Sequence, residues 1–116
     1  MTGPNPAETL RAAIADAKRI VVKIGSSSLS SREGGLDVSR LRAFTEAIAE
    51  RRTTADIVVV SSGAIATGLA PLGLVRRPTD LPTQQAAAAV GQGLLFAQYA
   101  QALAARDIVV AQVLLT

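Results

Sequence analysis

The sequence predicts an α/β protein: a parallel sheet with helices on both faces, in a three-layer α/β/α arrangement. Three observations carry this. Short β-branched apolar runs at 19–24, 56–61 and 108–115 alternate with helical patterns. The runs are apolar at nearly every position, as strands buried on both faces are. Each is separated from the next by enough helix to make the crossover that parallel pairing needs.

The elements follow in order. Asn5-Pro6-Ala7-Glu8 reads as a helix start, with Asn5 capping, Pro6 in the first turn and Glu8 at the capping-box position. Leu10 and Ile14 give that helix one apolar stripe. Residues 19–24 form the first strand, closed by Gly25-Ser26-Ser27-Ser28, and a polar loop with Gly34-Gly35 follows. Asp37 caps a second helix on which Val38, Leu41, Phe44, Thr45 and Ile48 fall at helical spacing. Residues 56–61 form the second strand, and Ser62-Gly63-Ala64-Ile65 turns directly into a short helix ending near Leu72. A loop with two prolines and Arg76-Arg77 spans 73–82. A long Ala/Gln-rich helix spans about 83–105, and a third strand spans 108–115. A chain stopping on a buried strand leaves an apolar edge, so residues 1–116 read as the first part of a longer protein.

Composition narrows the chemistry. The 116 residues are 49% hydrophobic and 18% charged, with aromatics at 3%, so the core is aliphatic. Cysteine and histidine are absent. That excludes disulfides, thiolate nucleophiles, His/Cys zinc sites and His-based acid–base pairs. Twelve Lys and Arg against nine Asp and Glu leave a net charge of +3, without the dense basic stripe of a nucleic-acid binder. No apolar run approaches the ~20 residues needed to span a bilayer, and the start lacks the basic and apolar regions of a signal peptide. The chain reads as cytoplasmic, with no membrane and no nucleic-acid partner.

Two motifs could carry chemistry. In Lys23-Ile24-Gly25-Ser26-Ser27 a lysine stands where a strand would carry Val or Ile. Glycine there permits close backbone approach, and successive N–H groups with serine hydroxyls can cradle phosphate oxygens. Lysine beside such a cradle can stabilise a transferring phosphoryl group. An edge lysine snorkelling to solvent before an ordinary turn fits the same residues. In Ser61-Ser62-Gly63-Ala64-Ile65-Ala66-Thr67-Gly68, small residues join strand to helix, an arrangement suited to a carboxylate or phosphate and equally to a plain serine cap. Both turns follow strand ends, where open α/β sheets bind ligands. Gly91-Gln92-Gly93 is not a dinucleotide fingerprint: no strand precedes it and Phe96 holds the third glycine position. Small residues there suit close helix packing, within the domain or at a subunit contact. The chain has neither a G-x-x-x-x-G-K-S/T loop nor a G-x-S-x-G elbow.

Taken together these segments resemble the amino acid kinase family. Val21 to Ser27 and Val59 to Gly68 carry the family pattern. Arg77 to Leu81, Gln84 to Gln92 and Gln112 to Thr116 resemble its branch whose acceptor is the side-chain carboxylate of L-glutamate. The resemblance covers about residues 19–116. It implies transfer of the ATP γ-phosphoryl group to that carboxylate, giving glutamyl 5-phosphate, the first step of proline biosynthesis. It implies Mg2+, proline as feedback inhibitor and a homo-oligomer. Lys23 matches the lysine that contacts the ATP phosphates and serves catalysis. Gly25 and Ser26 match the phosphate loop, and Ser62, Gly63 and Ala64 the glutamate-binding turn. No metal ligand is assigned within the chain. Family members continue past Thr116 into the rest of the glutamate site and the nucleotide-binding lobe, and many add a C-terminal RNA-binding-like domain. The 116 residues alone are therefore expected to be inactive. A different family member, or a non-catalytic amino-acid-binding or assembly fragment, is the competing expectation.

Overall fold

The computed structural model describes residues 3–114. Helix α1 (Pro6–Asp16) starts as its sequence asks: the Asn5 side chain accepts from the Ala7 amide at 3.0 Å. At its other end one guanidinium nitrogen of Arg51 donates to the carbonyls of Ile14, Ala15 and Ala17 at 3.2, 2.7 and 3.2 Å. A cation there satisfies terminal carbonyls and complements the helix dipole. No residue of α1 is buried, so the Leu10–Ile14 stripe faces solvent, not the core.

Strands β1 (Arg19–Ile24) and β2 (Asp56–Ser61) pair in parallel, in register from Arg19 opposite Asp56 to Ile24 opposite Ser61. Between them lie a single helical turn, α2 (Ser26–Leu29), and the crossover helix α3 (Val38–Arg52). The Asp37 carboxylate accepts from the amides of Ser39 and Arg40 and starts α3. After β2 come α4 (Ala64–Leu69), a 3-10 turn at Ala70–Leu72, and α5 (Leu81–Ala104), capped by Asp80.

The core lies on one side of the sheet. Leu29, Leu41, Leu95 and Tyr99 pack together with Ile24, Phe44 and Val59 around them. Ile48, Ala49 and Leu103 continue it under Ile57 and Val59. Phe44 meets Tyr99 edge-on, with ring centroids 6.3 Å apart. Helices α3 and α5 thus cover the face that carries Ile24, Ile57 and Val59.

Two expectations need correction. The strands are not buried on both faces among the described residues. Burial alternates along each, and Val21, Val58 and Val60 are 63%, 46% and 48% exposed, because no helix lies over their face. Residues 108–114 form no strand, and Leu115 and Thr116 of that expected strand lie outside the described residues. Asp107 takes a left-handed conformation (φ 58°) as α5 ends, and the Ile108 amide bonds back to the Leu103 carbonyl at 3.0 Å. Ile108 and Val110 then pack on the Ile48–Leu103 cluster without joining the hydrogen-bonded ladder. Their β-branched pattern supplies the apolar contacts, but pairing also requires a neighbouring strand edge in register.

Candidate functional site

Both motif turns leave the carboxyl ends of adjacent parallel strands. Ile24 and Ser61 are register partners, so Gly25-Ser26 and Ser62-Gly63 emerge side by side. The Ser62 amide donates to the Ile24 carbonyl at 3.2 Å, and the Ser62 hydroxyl donates to the same oxygen at 3.3 Å. Gly63 has φ 108°, a left-handed conformation that favours glycine, and a Cβ placed there would stand 3.6 Å from Ser26 Cα. Four of the six predicted site residues are thus gathered in one strip of backbone. Ala64 opens α4 directly after it, and α4's first turn is held by the Thr67 amide and hydroxyl, which donate to the Gly63 carbonyl at 3.0 and 2.9 Å.

Lys23 is opposite Val60 in the register, one residue before the strand ends. It is exposed, on the same face as Val21, so it is not a buried ammonium needing a partner. Among the described residues no carboxylate stands within ion-pair distance of it. The sheet thus sends Lys23 out from its bare face, while Ser61 looks into the helical layer.

Beneath the turns sits Tyr99. Its phenol oxygen is buried without a partner at hydrogen-bonding geometry. Burial raises its pKa, and the neighbouring Ser61 hydroxyl opposes that shift. Arg40 reaches from α3 to the Ser27 carbonyl at 3.5 Å and pairs with Asp37 at 3.5 Å. A groove of about 400 Å³ between α3 and α5, lined by Leu41, Arg42, Thr45, Gln98 and Arg106, shares no residue with the strand-end turns.

The donor set is a lysine ammonium, serine hydroxyls and backbone amides. Such groups suit anionic oxygens, not a bare cation. No group of three His, Cys, Asp or Glu side chains stands together among the described residues, and none of the six predicted site residues is a carboxylate.

One feature escaped sequence reading, and a second was read only in part: close packing was expected at Gly91 and Gly93, but not which helix would meet it or that Gly93 would stay clear. Ser26–Leu29 is a helical turn anchored by buried Leu29, where Gly25-Ser26-Ser27-Ser28 reads as loop. Second, α4 and α5 cross with backbone against backbone. A Cβ on Gly68 would run into the Ala87 carbonyl oxygen and lie 2.7 Å from its carbon. A Cβ on Gly91 would run into the Ala64 carbonyl oxygen and lie 2.6 Å from the Gly68 nitrogen. The four-residue spacings Ala64–Gly68 and Ala87–Gly91 were the available signal.

Residues 18–116 match the model of the amino acid kinase family. The chain is 58% identical over 107 residues to a glutamate 5-kinase of Thermobifida fusca, covering 91% of this chain and 28% of that enzyme. It is 57% identical to the glutamate 5-kinase of Streptomyces coelicolor, covering 91% and 29%. It is 54% identical over 110 residues to that of Bifidobacterium animalis subsp. lactis, covering 94% and 29%. The chain therefore spans less than a third of the length of these relatives. Helix α1 precedes the residues matched by the family model.

Proposed function

The chain belongs to the amino acid kinase family, and on that premise we propose that its protein phosphorylates the side-chain carboxylate of L-glutamate with ATP. The product is glutamyl 5-phosphate, and the reaction opens proline biosynthesis. The observation that carries this reading is the 54–58% identity to enzymes named glutamate 5-kinase, over nearly all of this chain. In this proposal residues 1–116 are the N-terminal part of the kinase domain and hold one side of its site.

The chemistry suits a chain without His or Cys. A γ-carboxylate oxygen of glutamate attacks the γ-phosphorus. The bond from phosphorus to the β–γ bridging oxygen breaks, and ADP leaves with that electron pair. The nucleophile belongs to the substrate, so the protein has to position two anions and offset their charge. Lys23 contacts the phosphates and takes up developing negative charge. Gly25 and Ser26 let the triphosphate approach the backbone. Ser62, Gly63 and Ala64 hold the glutamate against it, and the closeness of the two turns supports that pairing. Mg2+ bound to ATP would supply further counter-charge. The proposal assigns it no ligand here, and no step above runs through it. Proline as feedback inhibitor, a homo-oligomeric assembly and a cytoplasmic location complete the proposal. No helix among the described residues is long and apolar enough to cross a membrane.

The test uses the whole protein with ATP, Mg2+ and a panel of acceptors: glutamate, acetylglutamate, aspartate and carbamate. Trapping the acyl phosphate with hydroxylamine reports the product. Glutamate-dependent hydroxamate is expected, with K23A lowering kcat by about a hundredfold or more, and S62A raising KM for glutamate. Turnover with another acceptor and none with glutamate would overturn the substrate.

A further inference from the structure

At Gly91, helix α5 meets the backbone of Ala64, the last residue of the glutamate turn. Gly91 is buried, and its missing side chain is what lets α5 lie against the Ala64 carbonyl and the Gly68 amide. Gly68 admits the Ala87 carbonyl from the other side, and Ala87 is fully buried. No side chain caps the start of α4. The position of Ala64 is therefore set by two things. One is Ser62, bonded through amide and hydroxyl to Ile24 of β1. The other is contact with α5 at Gly91. We propose that Gly91 is a positioning residue for the acceptor substrate: it acts through Ala64 to hold the Ser62–Gly63–Ala64 turn at the distance from Ser26 that the transfer needs.

Side-chain contacts at a helix crossing can relax by rotamer changes; a carbonyl against a Cα can relax only by moving a backbone. A methyl group at 91 would push α4 off α5, and Ala64 is the first residue to move. The Gly25–Ser26 turn hangs on β1, and the atoms nearest an added Cβ at Gly91 belong to Ala64 and Gly68, so the phosphate side is left in place. The perturbation should fall on the acceptor alone. Gly93, two residues on, is exposed with nothing within 4 Å of a Cβ, and provides the control.

The inference rests on the proposed glutamate kinase reading, and its test separates the two. In the whole protein, G91A and G93A are compared with wild type for kcat and for KM of glutamate and of ATP. G91A is expected to raise KM for glutamate about tenfold or more, with KM for ATP within about twofold, and G93A to leave both unchanged. Unchanged glutamate KM in G91A, or equal losses for both substrates, overturns the positioning role while leaving the kinase reading intact. A wild-type protein with no glutamate-dependent turnover overturns the kinase reading instead. Should G91A fail to fold, hydrogen exchange of the wild type decides. Glutamate without ATP should slow exchange at 62–68 and at 88–92 together; slowing at 62–68 alone overturns the proposal.

Discussion

Alanine at Gly68 and alanine at Gly93 should change stability in opposite directions. Both glycines lie inside helices, so each replacement recovers up to about 1 kcal/mol of helix propensity. At Gly93 nothing else changes: the site is exposed, and an added Cβ meets nothing within 4 Å. G93A should therefore be stabilised by about 0.5–1 kcal/mol. At Gly68 the same atom would overlap the Ala87 carbonyl oxygen and stand 3.0 Å from the Gly91 nitrogen. Neither belongs to a side chain that can swing away. Overpacking against backbone costs about 1–3 kcal/mol or more, which outweighs the propensity gain. G68A should lose about 1–2 kcal/mol net. Urea unfolding of the whole protein, with m compared between variants, reads both values as shifts in midpoint. A G68A protein as stable as wild type would refute the close crossing of α4 and α5. A destabilised G93A would refute the exposure of that face of α5.

Two further outcomes follow from single side chains. The Ser39 hydroxyl and then the Arg40 amide hold the Asp37 carboxyl below its ordinary value of 3.8; the Thr83 hydroxyl and then its amide do the same for Asp80. A folded pKa below the unfolded one stabilises above the unfolded value, and that gain is lost as pH falls through the folded value. Urea midpoints should therefore drop on acidification below about pH 4, less steeply in D37N and D80N, whose amides still cap but do not titrate; identical acid limbs would count against the caps. The Tyr99 phenol is buried without a partner, so Y99F should leave stability unchanged or raise it by up to about 1 kcal/mol in the same assay. A clear loss would mean that the hydroxyl is bonded, with Ser61 the nearest candidate.

Much of the fold was legible because the signals were local. Arg19–Ile24 and Asp56–Ser61 are bounded by charge and by Ser/Gly turns, and the strands occupy those residues. Asp37 and Asn5 cap the helices their side chains announced. Helix α5 begins at Leu81 and not at 83, because Asp80 with Pro82 in the first turn is a complete start signal that a reading from the Ala/Gln run passes over. What failed was non-local. A run such as Ile20-Val21-Val22 does not say how many layers cover it, and the pattern at 108–114 does not say whether an edge is there to receive it. The candidate site was legible as two turns after two strands. That they lie side by side, with Gly63 next to Ser26, follows from parallel register, which sequence alone does not set. Gly91 and Gly93 look alike in sequence; only the position of α4 makes one obligatory and the other replaceable.

One stripe of α5 links these observations. Its buried residues are Ala87, Gly91, Leu95, Tyr99 and Leu103, every fourth position. At 3.6 residues per turn each four-residue step advances about 40° around the helix, so the stripe winds through about 160° from end to end. Its small members therefore face α4, while its large members face the sheet and α3. The winding also explains why helical periodicity in this segment is blurred, since apolar residues are needed on successive faces. Mechanically, one helix is registered against the sheet core by Leu95, Tyr99 and Leu103 and against Ala64 by Gly91. The turn that carries Ser62 is thus fixed on both sides, through the β2 ladder to β1 and, at Ala64, through α5. A substitution that repacks the Leu95–Tyr99 layer should then be felt at Ala64 without any contact to it, because one continuous helix, Leu81–Ala104, carries both that layer and Gly91.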